Sequence, residues 1–237
     1  MLLRDGAAGL EVLLLRRHQR SDVLGGVYVF PGGKLDEADR VAARARFGGD
    51  DGLHRGFGEG VSPLEAATLY VAAMRELAEE CGVRLGDMSN IHPHSRWITP
   101  AQAGISKRFD TWFFVALLPR GAVPRHDGHE LVDSVWLTPR DALTRYWNGK
   151  LPLAPPQIMS LVALSRHETA RAALEAARTA IPGRVQPERV AGDDPIVIAF
   201  PGDPQHPVDH AVIPGPSRLI LRGDRFEPMH GFEALFG

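Results

Sequence analysis

Between Leu10 and Arg17 apolar side chains follow one another closely, with Val12, Leu13, Leu14 and Leu15 in unbroken succession. No polar face survives in that run, so the segment is expected as a strand buried on both sides. Val27 to Phe30 reads as another short strand, stopped by Pro31-Gly32-Gly33, since proline and glycine punctuate regular structure. Ahead of both, Leu2-Leu3-Arg4-Asp5-Gly6 looks like the end of a strand entering a hairpin. Either that first strand is very short or the start codon is placed too far downstream. Arg40 to Gly60 is rich in Gly, Arg and Asp and is expected as a surface insertion.

The period then changes. Leu64, Ala67, Val71, Met74, Ala78 and Cys81 recur at steps of three and four, which predicts a helix with that stripe inward. Ser62 supplies an N-cap, Pro63 suits the first helical position, Glu65 the capping-box position, and Gly82 the C′ position. Trp97-Ile98 and Thr111 to Leu118 read as strands, the latter central, followed by a strand at Leu131 to Leu137 and a short helix at Pro139 to Trp147. Pro155 to Thr179 is helical in pattern, with a break near Arg166-His167-Glu168. Beyond Ile181 the chain is rich in Pro and Gly, with apolar runs at Ile196 to Phe200 and Leu219 to Leu221, and is expected as a small β-rich tail. There is no repeat or low-complexity tract.

Composition narrows the picture modestly. The 237 residues allow one large domain, or a domain of about 150 residues with an extension. With 44% hydrophobic and 24% charged residues the chain is a globular one with a sizeable core. A formal charge of −2 shows no clustered basic excess, so no nucleic-acid partner is expected. The run Val12 to Leu15 is far too short for a membrane span or a signal segment, and no membrane partner is expected. A single cysteine, Cys81, excludes an internal disulfide and suits a reducing compartment. The terminal Ala234-Leu235-Phe236-Gly237 matches no retention or peroxisomal tag. The expected location is cytoplasmic, and the oligomeric state stays open, a homodimer included.

Candidate chemistry is concentrated in Arg75-Glu76-Leu77-Ala78-Glu79-Glu80-Cys81-Gly82-Val83. On a helix Glu76 and Glu80 lie one turn apart, about 40° in rotation, and Glu79 flanks them about 60° to the other side. Arg75 and Glu79 have the spacing of an ion pair. Three carboxylates sharing one face repel one another unless a cation sits among them, and hard oxygen donors suit Mg²⁺ or Mn²⁺ better than zinc. A bare Glu-x-x-Glu-Glu is more often an ordinary solvated acidic face. Two additions weigh against that reading: Arg75 and Gly82 at fixed offsets, and the upstream Phe30-Pro31-Gly32-Gly33, where a glycine turn lets backbone approach a metal.

Arg75 to Val83 resembles the end of the Nudix box, G-x5-E-x7-R-E-U-x-E-E-x-G-U with U aliphatic, and Gly32-Gly33 resembles its start. The resemblance implies an α/β fold, a Nudix-type α/β/α sandwich around a mixed sheet. It implies a Nudix domain over residues 1–150, with an insertion at about 40–61 inside the box, and a C-terminal helical and small β-rich extension over 151–237. It further implies that Glu76, Glu79 and Glu80 bind a divalent metal, that Arg75 orients the glutamates, and that the Gly33 carbonyl adds a ligand. Asp39 stands where the box has its first glutamate, six residues after the glycine, and the seven-residue spacer to the arginine is lost. No equivalent of that first glutamate is therefore expected. Glu65 shares the metal face by rotation but lies some 16 Å from Glu76 at about 1.5 Å per residue, and is a capping residue.

The interrupted box, Trp97-x-Thr99-Pro100, Arg108-Phe109-Asp110-Thr111 and Pro155-Pro156-Gln157 resemble the peroxisomal-type coenzyme A diphosphatase branch and its bacterial relatives, over roughly Leu10 to Thr179. The coenzyme A signature of such enzymes, L-L-T-x-R-[SA]-x3-R-x3-G-x3-F-P-G-G, is partly met. Leu13, Leu14, Arg17, Gly26 and Phe30 to Gly33 fit; Leu15, His18 and Asp22 depart from it. Asp22 replaces an arginine where a 3′-phosphate needs a cation.

These likenesses point to a diphosphatase acting on a small nucleoside diphosphate-X, coenzyme A or an acyl derivative first, ADP-ribose, NADH or another dinucleotide as the alternative. Arg17, Phe30, Gly32 and Arg108 are the candidate substrate contacts, although Arg108 could instead pair with Asp110. Glu130 lies where many Nudix enzymes place an extra catalytic carboxylate, and a solvated loop glutamate is the equal alternative. A ligand-sensing module without catalysis would lack the box glutamates, all three of which are present on this helix. Isomerisation of a small diphosphate would need an accessible cysteine, and Cys81 belongs to the apolar stripe. His92-Pro93-His94 reads as a strand entry, and His206 and His210 as structural.

Overall fold

A computed structural model describes the chain except residues 22–23, 49–51, 87, 101–107, 127, 129–130 and 191–194. The strands are β1 (Leu2–Gly6), β2 (Gly9–Arg17), β3 (Tyr28–Val29), β4 (Ile91–Ile98), β5 (Asp110–Leu117), β6 (Leu131–Leu137), β7 (Gly183–Val185), β8 (Glu188–Arg189), β9 (Val197–Ala199), β10 (Arg218–Arg222) and β11 (Arg225–Glu227). The α-helices are α1 (Glu37–Phe47), α2 (Pro63–Cys81), α3 (Pro139–Trp147), α4 (Pro155–Leu164) and α5 (Ala170–Thr179). Two compact units share them, and β4 and β5 each contribute a part to both. Among the described residues no helix is long and apolar enough to cross a membrane.

The first unit comprises Met1–His94, Phe114–Thr138 and His167–Pro182. Its sheet is mixed: β1 is antiparallel to β2 and parallel to β5. Val12 faces both Leu3 and Leu137, and Leu15 both Val29 and Ser134, so β6 follows one edge of β2 while β1 and β3 share the other. This central position explains the unbroken apolar run. Val12 to Leu15 are each no more than 1% exposed, and burial of each such side chain stabilises by about 1.5–3 kcal/mol. Phe114 on β5 meets Tyr70 of α2 at a ring separation of 5.2 Å. Asp5, whose side chain points to the opposite face by strand alternation, accepts a 2.6 Å bond from the Ala170 amide at the start of α5. Helices thus attend both faces of this sheet.

The stretch expected as a surface insertion is more structured than that. Residues 37–47 form α1 against α2, and a 3-10 turn at Leu53–Phe57 drives Phe57 into the core. Phe57 packs edge-on against Tyr70 and Phe114, with centroids 5.6 and 5.8 Å apart. The buried side of α2 changes accordingly. Ala66 to Tyr70 are all buried, followed by Ala72, Leu77 and Cys81, whereas Leu64, Val71, Met74 and Ala78 keep some exposure. The predicted stripe assumed one covering partner; α1 and the 3-10 turn add others.

The second unit comprises Ser95–Phe113, Pro139–Arg166 and Gly183–Gly237. Here β7 lies parallel to β4, and His92-Pro93-His94 lies in the opening residues of the strand Ile91–Ile98. The tail forms a four-stranded sheet in the order β11-β10-β9-β8. Arg218 clamps the buried Asp203 through bonds of 2.7 and 2.5 Å, with Ser217 adding one of 2.8 Å. The Tyr146 hydroxyl donates to the Phe226 carbonyl at 2.8 Å and accepts from its amide at 2.8 Å, which ties α3 to the tail. His206 uses both ring nitrogens locally, on the Gln186 carbonyl and the Val208 amide, the structural role expected of it.

Candidate active site

The helix that carries the acidic cluster is delimited by local chemistry. The Ser62 hydroxyl accepts from the Glu65 amide at 3.2 Å, and Gly82, at φ 67°, turns its amide back onto the Ala78 and Leu77 carbonyls. Burying Leu77 and Cys81 leaves Arg75, Glu76, Glu79 and Glu80 on the remaining surface of the last turns.

Arg75 is the hub. Its Nη1 donates to Glu76 and to Glu79, each at 2.9 Å. Nε and Nη2 grip the two oxygens of Asp39 at 2.8 and 2.9 Å, and Nη2 also reaches the Lys34 carbonyl at 2.9 Å. A guanidinium has five N–H donors, and all are engaged. Arg75 therefore positions carboxylates and has no donor left for a substrate phosphate.

Asp39, which stands at the position of the first box glutamate but was not expected to replace it, sits at the centre of this network. It is 1% exposed, and its carboxylate also accepts from the Asp36 amide at 3.0 Å while the Asp36 carboxylate accepts from the Asp39 amide at 2.9 Å. This reciprocal cap starts α1 and turns Asp39 toward Arg75. The first acidic position of the box is thus occupied after all, by an aspartate on an inserted helix. The Asp36-x-x-Asp39 pattern and the six-residue offset from Gly33 were the available signals. Hydrogen bonds from Arg75 hold the Asp39 carboxyl well below the usual carboxylate range, against the opposing effect of burial. Burial pushes the Glu76 carboxyl up, against the pull of Arg75, and Glu79 and Asp39 push it the same way.

The glycine turn meets the end of the helix here. The Gly32 amide donates to Glu80 Oε2 at 2.7 Å. At Gly33 an added Cβ would lie 2.3 Å from Glu76 Oε1, so only glycine permits this approach. Four carboxylates, Asp39, Glu76, Glu79 and Glu80, thus surround one guanidinium and one amide, leaving a strongly negative centre. Among the described residues no three acidic, histidine or cysteine side chains are arranged as a closed cation cage, since Arg75 holds Asp39, Glu76 and Glu79. The donor chemistry, hard carboxylate oxygens beside glycine backbone, suits an oxygen-seeking divalent cation.

The other candidates are placed less centrally. Phe30 is buried. Arg17 ends β2 at a bulge, and its Nε is buried without a hydrogen-bond partner among the described residues. Arg108 lies in the second unit and donates to the Thr99 carbonyl at 3.3 and 3.2 Å; Asp110 is taken instead by Arg96, at 2.8 and 2.6 Å. Glu130 falls outside the described residues.

Known proteins resemble this chain in sequence and in fold. Residues 77–164 match the family described as the NUDT19 Nudix domain. The crystal structure of a Nudix hydrolase from Alicyclobacillus acidocaldarius is similar at 28% identity, with a TM-score of 0.59 over 76% of this chain and 93% of that one. These likenesses support a Nudix hydrolase. Nudix relatives in sequence include the acyl-coenzyme A diphosphatase NUDT19 of Xenopus laevis, 25% identical over 87% of this chain and 74% of that protein. The Homo sapiens protein of the same name is 26% identical over 64% of this chain, which spans 59% of it. The fold is α/β with a mixed sheet and an additional β-rich C-terminal sheet, and the activity class is that of a Nudix pyrophosphohydrolase.

Proposed function

We propose that this diphosphatase cleaves coenzyme A or an acyl derivative with the help of Mg²⁺ or Mn²⁺, held by Glu76, Glu79, Glu80 and the Gly33 carbonyl. The observation that carries the reading is the junction of Gly32-Gly33 with Glu76 and Glu80 around the saturated Arg75. A bound divalent cation supplies neutralisation of the diphosphate oxygens and acidifies a coordinated water. The chain's own part is positional. Arg75 fixes Glu76 and Glu79, Asp39 fixes Arg75, and the partly buried Glu76 is poised to take a proton from the attacking water. Water adds to one phosphorus, the bridging P–O bond breaks with its electron pair going to the leaving phosphate, and the products are 3′,5′-ADP and a phosphopantetheine.

Arg17 supports the choice of a long substrate. Its amide bonds to the Val27 carbonyl at 3.1 Å, five residues before Gly32, or roughly 16 Å of extended chain away. Its unpartnered Nε fits an anion at the far end of the ligand. The same-named relatives in Xenopus laevis and Homo sapiens favour acyl-coenzyme A. The test is a panel of coenzyme A, acyl-coenzyme A, 3′-dephospho-coenzyme A, ADP-ribose, NADH and diadenosine polyphosphates, with products identified by mass. A charge-assisted contact to the 3′-phosphate should favour coenzyme A over its dephospho form by about 10- to 150-fold, and Arg17→Ala should erase most of that preference. Equal rates on the two, or faster cleavage of ADP-ribose, would rule out coenzyme A and leave the diphosphatase.

A further inference from the structure

In the second unit, Arg96 of β4 and Arg184 of β7 are register partners in a parallel pair. Their side chains therefore rise from adjacent positions on one face of the sheet. Like charges so placed repel, and among the described residues the Asp110 carboxylate answers them. Asp110 spends both oxygens on Arg96, at 2.8 and 2.6 Å. Arg184 is exposed, and among the described residues it has no hydrogen-bonded or ion-paired partner. The Arg96 guanidinium lies 5.2 Å from the centre of the Trp112 ring, so it is held by a carboxylate on one side and an aromatic ring on another. Two residues before Asp110, the exposed Arg108 donates to the neutral Thr99 carbonyl. Among the described residues Arg96 and Arg184 are thus set against Asp110, and Arg96 is immobilised rather than left to spread away from Arg184.

We propose that this face is a phosphate-binding site, with Arg184 receiving a phosphoryl group and Arg96, fixed by Asp110 and Trp112, supplying a standing positive field beside it. A planar guanidinium matches two phosphate oxygens at once, and an anion would give Arg184, which feels Asp110 only through space, a direct partner. Asp110 is held below the usual carboxylate range by Arg96 first and by Arg184 as well, so it stays ionised and limits the site to anions strong enough to compete with it. The ligand class is a phosphomonoester or diphosphate. The site needs no divalent metal, unlike the acidic centre on α2, and so stands or falls separately from the coenzyme A reading.

Calorimetric titration of the full chain with inorganic pyrophosphate, in chelator and at fixed ionic strength, tests this. The metal-free carboxylate cluster repels the anion, so binding there does not contribute. Saturable binding is expected for the wild type, weakened about tenfold or more in Arg184→Ala and weakened less in Arg184→Lys, which keeps the charge but loses the bidentate fork. Asp110→Asn, which removes the competing carboxylate, should tighten it several-fold. Equal binding by wild type and Arg184→Ala, weakening in Asp110→Asn, or no saturable binding by the wild type would overturn the proposal and leave the arginines a solvated surface pair.

Discussion

Replacing Asp39 with asparagine should destabilise the protein by about 2–3 kcal/mol at neutral pH. Removing one partner of a buried ion pair costs roughly 3–5 kcal/mol, because the other charge is left uncompensated. Here Arg75 keeps Glu76 and Glu79 and is 25% exposed, so the cost falls at or just below the low end of that range. Asparagine can still cap α1 through its carbonyl oxygen, which isolates the charge from the cap. For a chain of this size the loss corresponds to a fall in Tm of roughly 4–12 °C. The pH dependence gives a second signature. A carboxylate whose folded pKa is depressed contributes stability above its unfolded value, here 3.8, and loses it as pH falls through the lower folded value. Urea unfolding of wild type and Asp39→Asn between pH 7 and pH 3 should therefore show a gap that is constant near neutrality and narrows below about pH 4. A gap under about 0.5 kcal/mol at pH 7, the size of an ordinary surface change, would refute the role assigned to the Asp39–Arg75 pair, as would a gap that does not narrow in acid.

Three further outcomes follow from the site. Glu80→Gln should cut turnover by more than about tenfold, equivalent to 1.4 kcal/mol of barrier, while Tm without metal stays level or rises as repulsion is relieved; retention of a tenth of the rate at saturating metal would exclude Glu80 from the metal site. Gly33→Ala should lose activity with its helical circular dichroism kept, because the new methyl group meets the Glu76 carboxylate at 2.3 Å; a fully active variant would show that this approach is dispensable. Millimolar Mg²⁺ or Mn²⁺ should raise Tm by mass action, by about 2.7 kcal/mol at a hundred times Kd, and a Tm unmoved by either ion with a substrate analogue present would count against the cation site.

Helix α2 shows how far local chemistry reaches. Its start at Ser62, its end at Gly82 and the shared surface of Glu76, Glu79 and Glu80 all depend on residues within one turn of each other, and were legible in the sequence. So was β2, because a strand whose sheet is covered on both faces is apolar on both. The buried side of α2 was not legible in this way. It depends on Phe57 and α1, which return from an insertion whose composition resembles a loop. The pairing of Asp39 with Arg75 was hidden for the same reason: the spacing from Asp39 to the arginine is broken by the insertion, whereas α1 packs against α2 and restores the contact in space. Arg96 took Asp110 from Arg108 because side-chain pairing across a sheet is set by register, and register is decided by the fold. The sequence by itself determined which residues carry charge and which helix presents them. Only the tertiary structure decided which charges meet, since an ion pair between residues 36 positions apart exists only after the chain has folded back on itself.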